Sequence, residues 1–198
     1  DPDGWLPRDV YQGLLDLLPG ANLVALDDML EKVRAVKSDE ELGVLRKAAQ
    51  LGDLMLATCR DTARVGVKEC EVYASMMHAM VGNGGEEPTL FLWNCDRHPY
   101  PHPFRVPTVR PMDPRDLIIC EMHPKFGGYF THVERTFCLG EPDKEQLRIY
   151  DGCLAAYQCG LDNFGPGKPI STALMAVKDV IDERGLAICE AGIQIGRA

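Results

Sequence analysis

The segment Arg115-Asp116-Leu117-Ile118-Ile119-Cys120-Glu121-Met122-His123-Pro124-Lys125-Phe126-Gly127-Gly128-Tyr129-Phe130-Thr131-His132-Val133-Glu134-Arg135-Thr136-Phe137-Cys138-Leu139 decides the fold. It reads as a strand over Asp116–Met122 and a second over Tyr129–Leu139, joined through His123–Gly128 as a hairpin. Side chains alternate along a strand, so Glu121 and His123 point the same way. His132, Glu134 and Thr136 share a face for the same reason. Antiparallel pairing then brings the two polar sets together. Glutamate and histidine in such a group serve as metal ligands or as general acid and base near neutral pH.

Outward from the hairpin the pattern is helical. Downstream, helices are expected at Lys144–Phe164 and Ser171–Arg184, separated by Gly165-Pro166-Gly167. Upstream lies a proline-punctuated loop carrying Pro99, Pro101, Pro103, Pro107, Pro111 and Pro114. Before it, Thr89–Trp93 reads as a strand. A helix from Asp39 to about Arg64 starts at a Ser38/Glu41 capping box, and another follows Gly66 and ends at Gly82-Asn83-Gly84-Gly85. Met76, Met77 and Met80 within it are read as core filler. Residues 1–33 give a short amphipathic helix after Pro7 and an apolar run, Asn22–Leu26, expected as a strand. One helix and one strand make no core, so this stretch needs a partner. Long helices grouped beside antiparallel strands make the fold class α+β.

Composition narrows the function. The charge is 21 − 30 = −9 over 198 residues, which argues against a nucleic-acid phosphate binder. No apolar stretch of membrane-spanning length is present, and Asp1-Pro2-Asp3-Gly4 is not a signal peptide. The eight cysteines lack CxxC spacing and are read as reduced, buried thiols of a cytoplasmic protein. Cys95, close in sequence to His98, is assigned a structural role. There is neither a Walker-type glycine loop nor a G-x-S-x-G elbow. His98 and His102 add an H-x3-H pair, a weak zinc signal by itself. A plain reading of the same residues makes the loop histidines surface groups and Glu134-Arg135 an ion pair.

Val36-Lys37-Ser38-Asp39-Glu40-Glu41-Leu42 with Leu45–Ala49, the run Arg115–Glu121, Gly128-Tyr129, Glu134-Arg135-Thr136-Phe137 and Gly140-Glu141-Pro142 together resemble the creatinase, prolidase and Xaa-Pro aminopeptidase superfamily. The resemblance covers about residues 34–185. It implies the first half of an α+β pita-bread domain, here residues 34–198, preceded by the tail of an N-terminal domain, residues 1–33. It implies a hydrolase of the C–N bond in a small amide, amidine or short peptide-like substrate, and a homodimer. The superfamily's metallopeptidases hold two metal ions with one aspartate on each hairpin strand; Glu121 and His132 stand at those positions. Creatinase-like members work without metal. The cofactor is therefore either none or a divalent metal (Mn, Co, Zn or Fe) held by Glu121 and His132.

His102 lies near the place of the superfamily's active-site histidine, with His98 as the alternative. In the metal-independent version His102 exchanges protons, Glu121 positions a charged nitrogen or water or attacks directly, and His132 orients the substrate. A standard dinuclear peptidase is the less favoured version, because histidine is not a carboxylate bridge. His78 and His123 are set outside the chemistry. The superfamily's second half-domain, with a further histidine and two glutamates, has no counterpart before Ala198, so these residues alone are expected to turn over little substrate. Two alternatives stand beside this reading. One is a metal-dependent Xaa-Pro dipeptidase or aminopeptidase. The other is a pita-bread protein that has lost catalysis and serves as a binding module; the status of that second half separates them.

Overall fold

The computed structural model describes residues 6–24, 26–97, 105–189 and 192–194. The chain divides into two compact units, residues 1–41 and 42–198.

In the first unit α1 (Arg8–Leu17) and α2 (Asp27–Ala35) are helical, and α3 (Asp39–Thr62) begins. Ser38 and Glu41 form the expected reciprocal cap: the Ser38 amide donates to the Glu41 carboxylate at 2.7 Å and the Glu41 amide to the Ser38 hydroxyl at 3.3 Å. The strand expected over Asn22–Leu26 is not formed at residues 22–24 or 26, which join no ladder. An apolar run becomes a strand only where another strand offers its donors and acceptors. The helix α2, by contrast, satisfies its own backbone.

The second unit is built on a three-stranded antiparallel sheet of order β1-β2-β5, with β1 at Phe91–Asp96, β2 at Leu117–Met122 and β5 at Val133–Cys138. β1 runs further than its apolar residues suggest. Asn94, Cys95 and Asp96 pair with Ile119, Ile118 and Leu117, so the partner strand sets the length. α3 and α4 (Glu69–Gly82) cover one face of this sheet. Met55, Met76, Met80, Trp93, Ile118 and Met122 are fully buried there, and Met77 packs against them. The methionines are core residues, as their helical spacing predicts.

Pro124 shapes the hairpin. It has no amide to donate, so the β2 ladder stops at Met122. A separate ribbon resumes with β3 (Lys125–Phe126) and β4 (Tyr129–Phe130). Gly127 and Gly128 turn it with φ of 57° and 80°, the positive pair a two-residue type I′ turn requires. The continuous strand expected over Tyr129–Leu139 is thus divided into β4 and β5. His123 and His132 stand at the joint.

The connection from residue 105 to β2 is irregular, as its prolines dictate; backbone hydrogen bonds tie it to residues 66–70, and one guanidinium clamps it further. Arg110 reaches Glu69 on α4 at 2.9 Å, Asp116 at 2.7 Å and the Cys95 carbonyl at 2.8 Å. Glu69 and Asp116 are almost completely buried. The Glu69 carboxylate also accepts from the Trp93 indole at 3.2 Å. After β5, α5 (Lys144–Asn163) and α6 (Ile170–Glu183) form a helical hairpin with its own small core of Ala156, Ile181 and Leu186. The short β6 (Ala187–Cys189) and β7 (Gly192–Gln194) pair with each other. No helix of the described residues is long and apolar enough to cross a membrane.

Candidate active site

The side of the sheet facing away from α3 and α4 carries the polar residues. Odd positions of β2 and even positions of β5 point there, because Ile118, Cys120 and Met122 take the core side. Glu121 lies directly across from Glu134, and the next pair along that side is Ile119 with Thr136. His123 and His132 continue this parity beyond the strand ends.

The geometry closes around Glu121. The His132 Nε2 is 3.0 Å from the Glu121 Oε1. The His123 ring meets the His132 ring edge-on, with centroids 4.7 Å apart and planes at 69°. Its other side stacks on Phe130 at 5.3 Å and 13°. One donor atom from each of Glu121, His123 and His132 lies within 4.8 Å of the other two. The Glu121 side chain is mostly buried and that of His132 is 56% exposed, so the cluster opens to solvent on the β5 side.

Two protonation equilibria are biased. Loss of hydration first, then the neighbouring His132 charge, lower the His123 pKa; Glu121 opposes them. Both effects favour the neutral imidazole at His123. Loss of hydration, followed by repulsion from the facing Glu121 carboxylate, raises the Glu134 carboxyl above its ordinary value; His132 acts against this. Like charges directly opposite across strands repel. The sheet therefore presents an anionic pair beside two imidazoles, an arrangement that favours a cation.

Glu121 and His132, picked out in the sequence, are brought together. His123, set aside there, joins them. Its signal, the i, i+2 parity with Glu121, was read in the sequence but given no part in the chemistry. His98 and His102 lie outside the described residues. His78 is exposed on α4. Glu134 and Arg135 do not pair: Arg135 donates to the Glu134 carbonyl at 2.7 Å, while the Glu134 side chain faces Glu121. Cys95 is buried on the core side, where burial and the nearby Asp116 push its thiol up to about 12, so its role is structural. Seven of the eight cysteines, Cys59, Cys70, Cys95, Cys120, Cys138, Cys153 and Cys159, are free thiols.

As donors, the Glu121 carboxylate and the His132 imidazole fit a divalent cation. With histidine at 132, this pair supplies one anionic oxygen ligand and no second carboxylate to bridge two ions.

A hairpin bearing a carboxylate–imidazole cluster, on a sheet covered by two helices, is the arrangement of a pita-bread half-domain. The chain belongs to metallopeptidase family M24, which it matches over residues 43–197. It is 24% identical over 160 residues to the Xaa-Pro dipeptidase of Pyrococcus furiosus, an alignment covering 81% of this chain and 46% of that protein. Among solved structures it superposes on the Xaa-Pro dipeptidase from Bacillus anthracis with a TM-score of 0.86 at 22% identity, over 99% of this chain and 57% of that one. The dipeptidase PepE from Mycobacterium ulcerans gives 0.80 at 24% identity, over 93% and 49%. These likenesses establish the pita-bread fold. The chain spans about half the length of the curated relatives it matches.

Proposed function

We propose that this chain carries the hairpin half of an active site that hydrolyses a C–N bond in a small amide, amidine or short peptide-like substrate. The observation that supports the reading is the convergence of Glu121 and His132, 3.0 Å apart, at the strand positions that resemble the family's ligand pair. Membership of family M24 is consistent with it. Glu121 positions a cationic nitrogen or a water, and His132, hydrogen-bonded to it, orients the substrate. His102 remains the candidate for proton exchange. A divalent ion, when bound by Glu121 and His132, would contribute Lewis acidity toward the scissile carbonyl. The protein works in the cytoplasm as a homodimer. The 198 residues alone are expected to be poor catalysts beside relatives about twice as long.

The metal-dependent Xaa-Pro dipeptidase is the second reading, favoured by the names of the relatives. A pita-bread binding module without catalysis is the third. A panel of Xaa-Pro dipeptides, small amidines and cyclic amides, offered to the natural full-length protein with and without added manganese, separates them. Hydrolysis of amidines or cyclic amides without added metal is the outcome the favoured reading predicts. Hydrolysis of Xaa-Pro dipeptides only with metal selects the second reading. Turnover of no member leaves the binding module.

A further inference from the structure

We propose that the cavity between the β2–β5 pair and α5, bounded by Leu117, Thr136, Cys138, Ile149, Tyr150 and Cys153, receives an uncharged apolar group of the substrate, of isobutyl or phenyl size. The substrate class narrows accordingly to an amide or amidine that carries such a group beside the scissile bond. The inference rests on the reading above, in which Glu121 and His132 hold the polar end of the same substrate.

The cavity is continuous with the carboxylate pair. Leu117 pairs with Cys138 at one end of the β2–β5 ladder, and Glu121 with Glu134 near the other. By parity all four side chains, and that of Thr136, take the side of the sheet that faces away from α3 and α4. Thr136 is two residues from Glu134, roughly 7 Å along the strand. The opposite wall is α5. Its Cys153 thiol is raised by loss of hydration first and then by the Glu134 charge, so the helix lies within reach of that carboxylate. This wall is pinned in place. The Gln146 carboxamide donates to the Arg97 and Arg115 carbonyls, each at 3.1 Å, and accepts from the Asp143 amide at 2.9 Å. The cavity is therefore preformed, as ligand pockets usually are.

The lining selects the group. The cavity measures about 310 Å3 and is walled mostly by carbon and sulfur. A cavity of about 150 Å3 with aliphatic walls already holds benzene, so a phenyl or isobutyl group fits together with the carbons that link it to the scissile bond. Among the described residues no charged side chain lines this cavity. A carboxylate or ammonium placed there would lose water and find no counter-charge, which is costly. Tyr150 stands 58% exposed at the rim, and a bound apolar group would cover it. The two ends of the site thus ask for opposite chemistry: polar or cationic at Glu121, uncharged and apolar beyond Thr136.

The test is ligand-observed nuclear magnetic resonance on the natural full-length protein with 3-phenylpropanamide and propanamide as probes. Beside it, hydrolysis is compared for panel members with and without a phenyl or isobutyl group. Circular dichroism establishes that each variant folds. The expected result is that 3-phenylpropanamide binds at least about tenfold more tightly than propanamide, and that kcat/KM favours the apolar panel members by about 10–200-fold. Cys153→Leu fills the cavity from α5, and Thr136→Met fills it from the sheet surface. Each should bring both ratios toward unity, with the loss on apolar substrates falling on KM rather than kcat. Equal binding of the two probes, or binding of neither, would overturn the proposal. So would an apolar preference undiminished in either folded variant, since the group would then sit elsewhere. Should substrates turn over without any apolar preference, the hydrolase reading survives alone. Should 3-phenylpropanamide bind selectively, and lose that selectivity in the variants, while no substrate is hydrolysed, the cavity stands as a binding site and the hydrolase reading falls.

Discussion

Glu134 carries the clearest residue-scale prediction. Its carboxyl is raised by loss of hydration and by Glu121, so the ionised form costs the native state energy. That cost is fully present above the raised native pKa. It fades as the pH falls through that value and is gone below the ordinary glutamate range, where native and unfolded chains are both protonated. Glu134→Gln is therefore expected to raise the melting temperature of chelator-treated protein near neutral pH by about 1–3 °C, from a like-charge pair worth a few tenths to 1 kcal/mol. The gain should vanish under acid conditions. An equal gain at both pH values would mean that the two carboxylates do not repel. The residue scale is also where the sequence was hardest to read. Glu121 and His132 were legible from strand parity and from the resemblance. His123 was placed beside Glu121 by the same parity but set outside the chemistry. The identity of Glu134 as a partner of Glu121, rather than of Arg135, depends on register, which a linear sequence does not state.

At the scale of elements, the Arg110 clamp ties the proline-rich connection to α4 and β1 and so sets where β2 begins. Asp116→Ala leaves a partly buried guanidinium with one fewer carboxylate and removes the acceptor of the Asp113 amide, held at 2.9 Å. Because the Arg110 side chain is 35% exposed, water recovers part of the loss. The expected destabilisation is about 2–3 kcal/mol, seen as a melting temperature lower by about 4–12 °C. A change under 1 °C would show that the clamp does not hold the connection. Most elements were legible: α3 from its cap and apolar stripe, α4 from its methionines, the hairpin from Gly127-Gly128, and α5 and α6 from the Gly-Pro-Gly break. The exceptions share a cause. The absent strand at residues 22–24 and 26, and the extension of β1 through Asn94 to Asp96, were decided by whether a neighbouring strand was present. α2 has a sufficient local pattern in Met29, Leu30 and Val33, which the apolar run before it masked.

For the molecule as a whole, the hairpin sits on a sheet packed on one face by α3 and α4, with Glu121 and its neighbours on the other. α5 presents Leu147, Tyr150, Leu154, Tyr157 and Leu161 to solvent at alternating spacings of three and four. The account rests on one carboxylate. The most direct measurement is the hydrolysis rate of the natural full-length protein and its Glu121→Gln variant, on whichever panel substrate the wild type turns over, with folding checked by circular dichroism. The account predicts a fall of at least about 100-fold, the scale of removing a group that positions or activates the reacting atoms. A folded Glu121→Gln protein with an unchanged rate would contradict it.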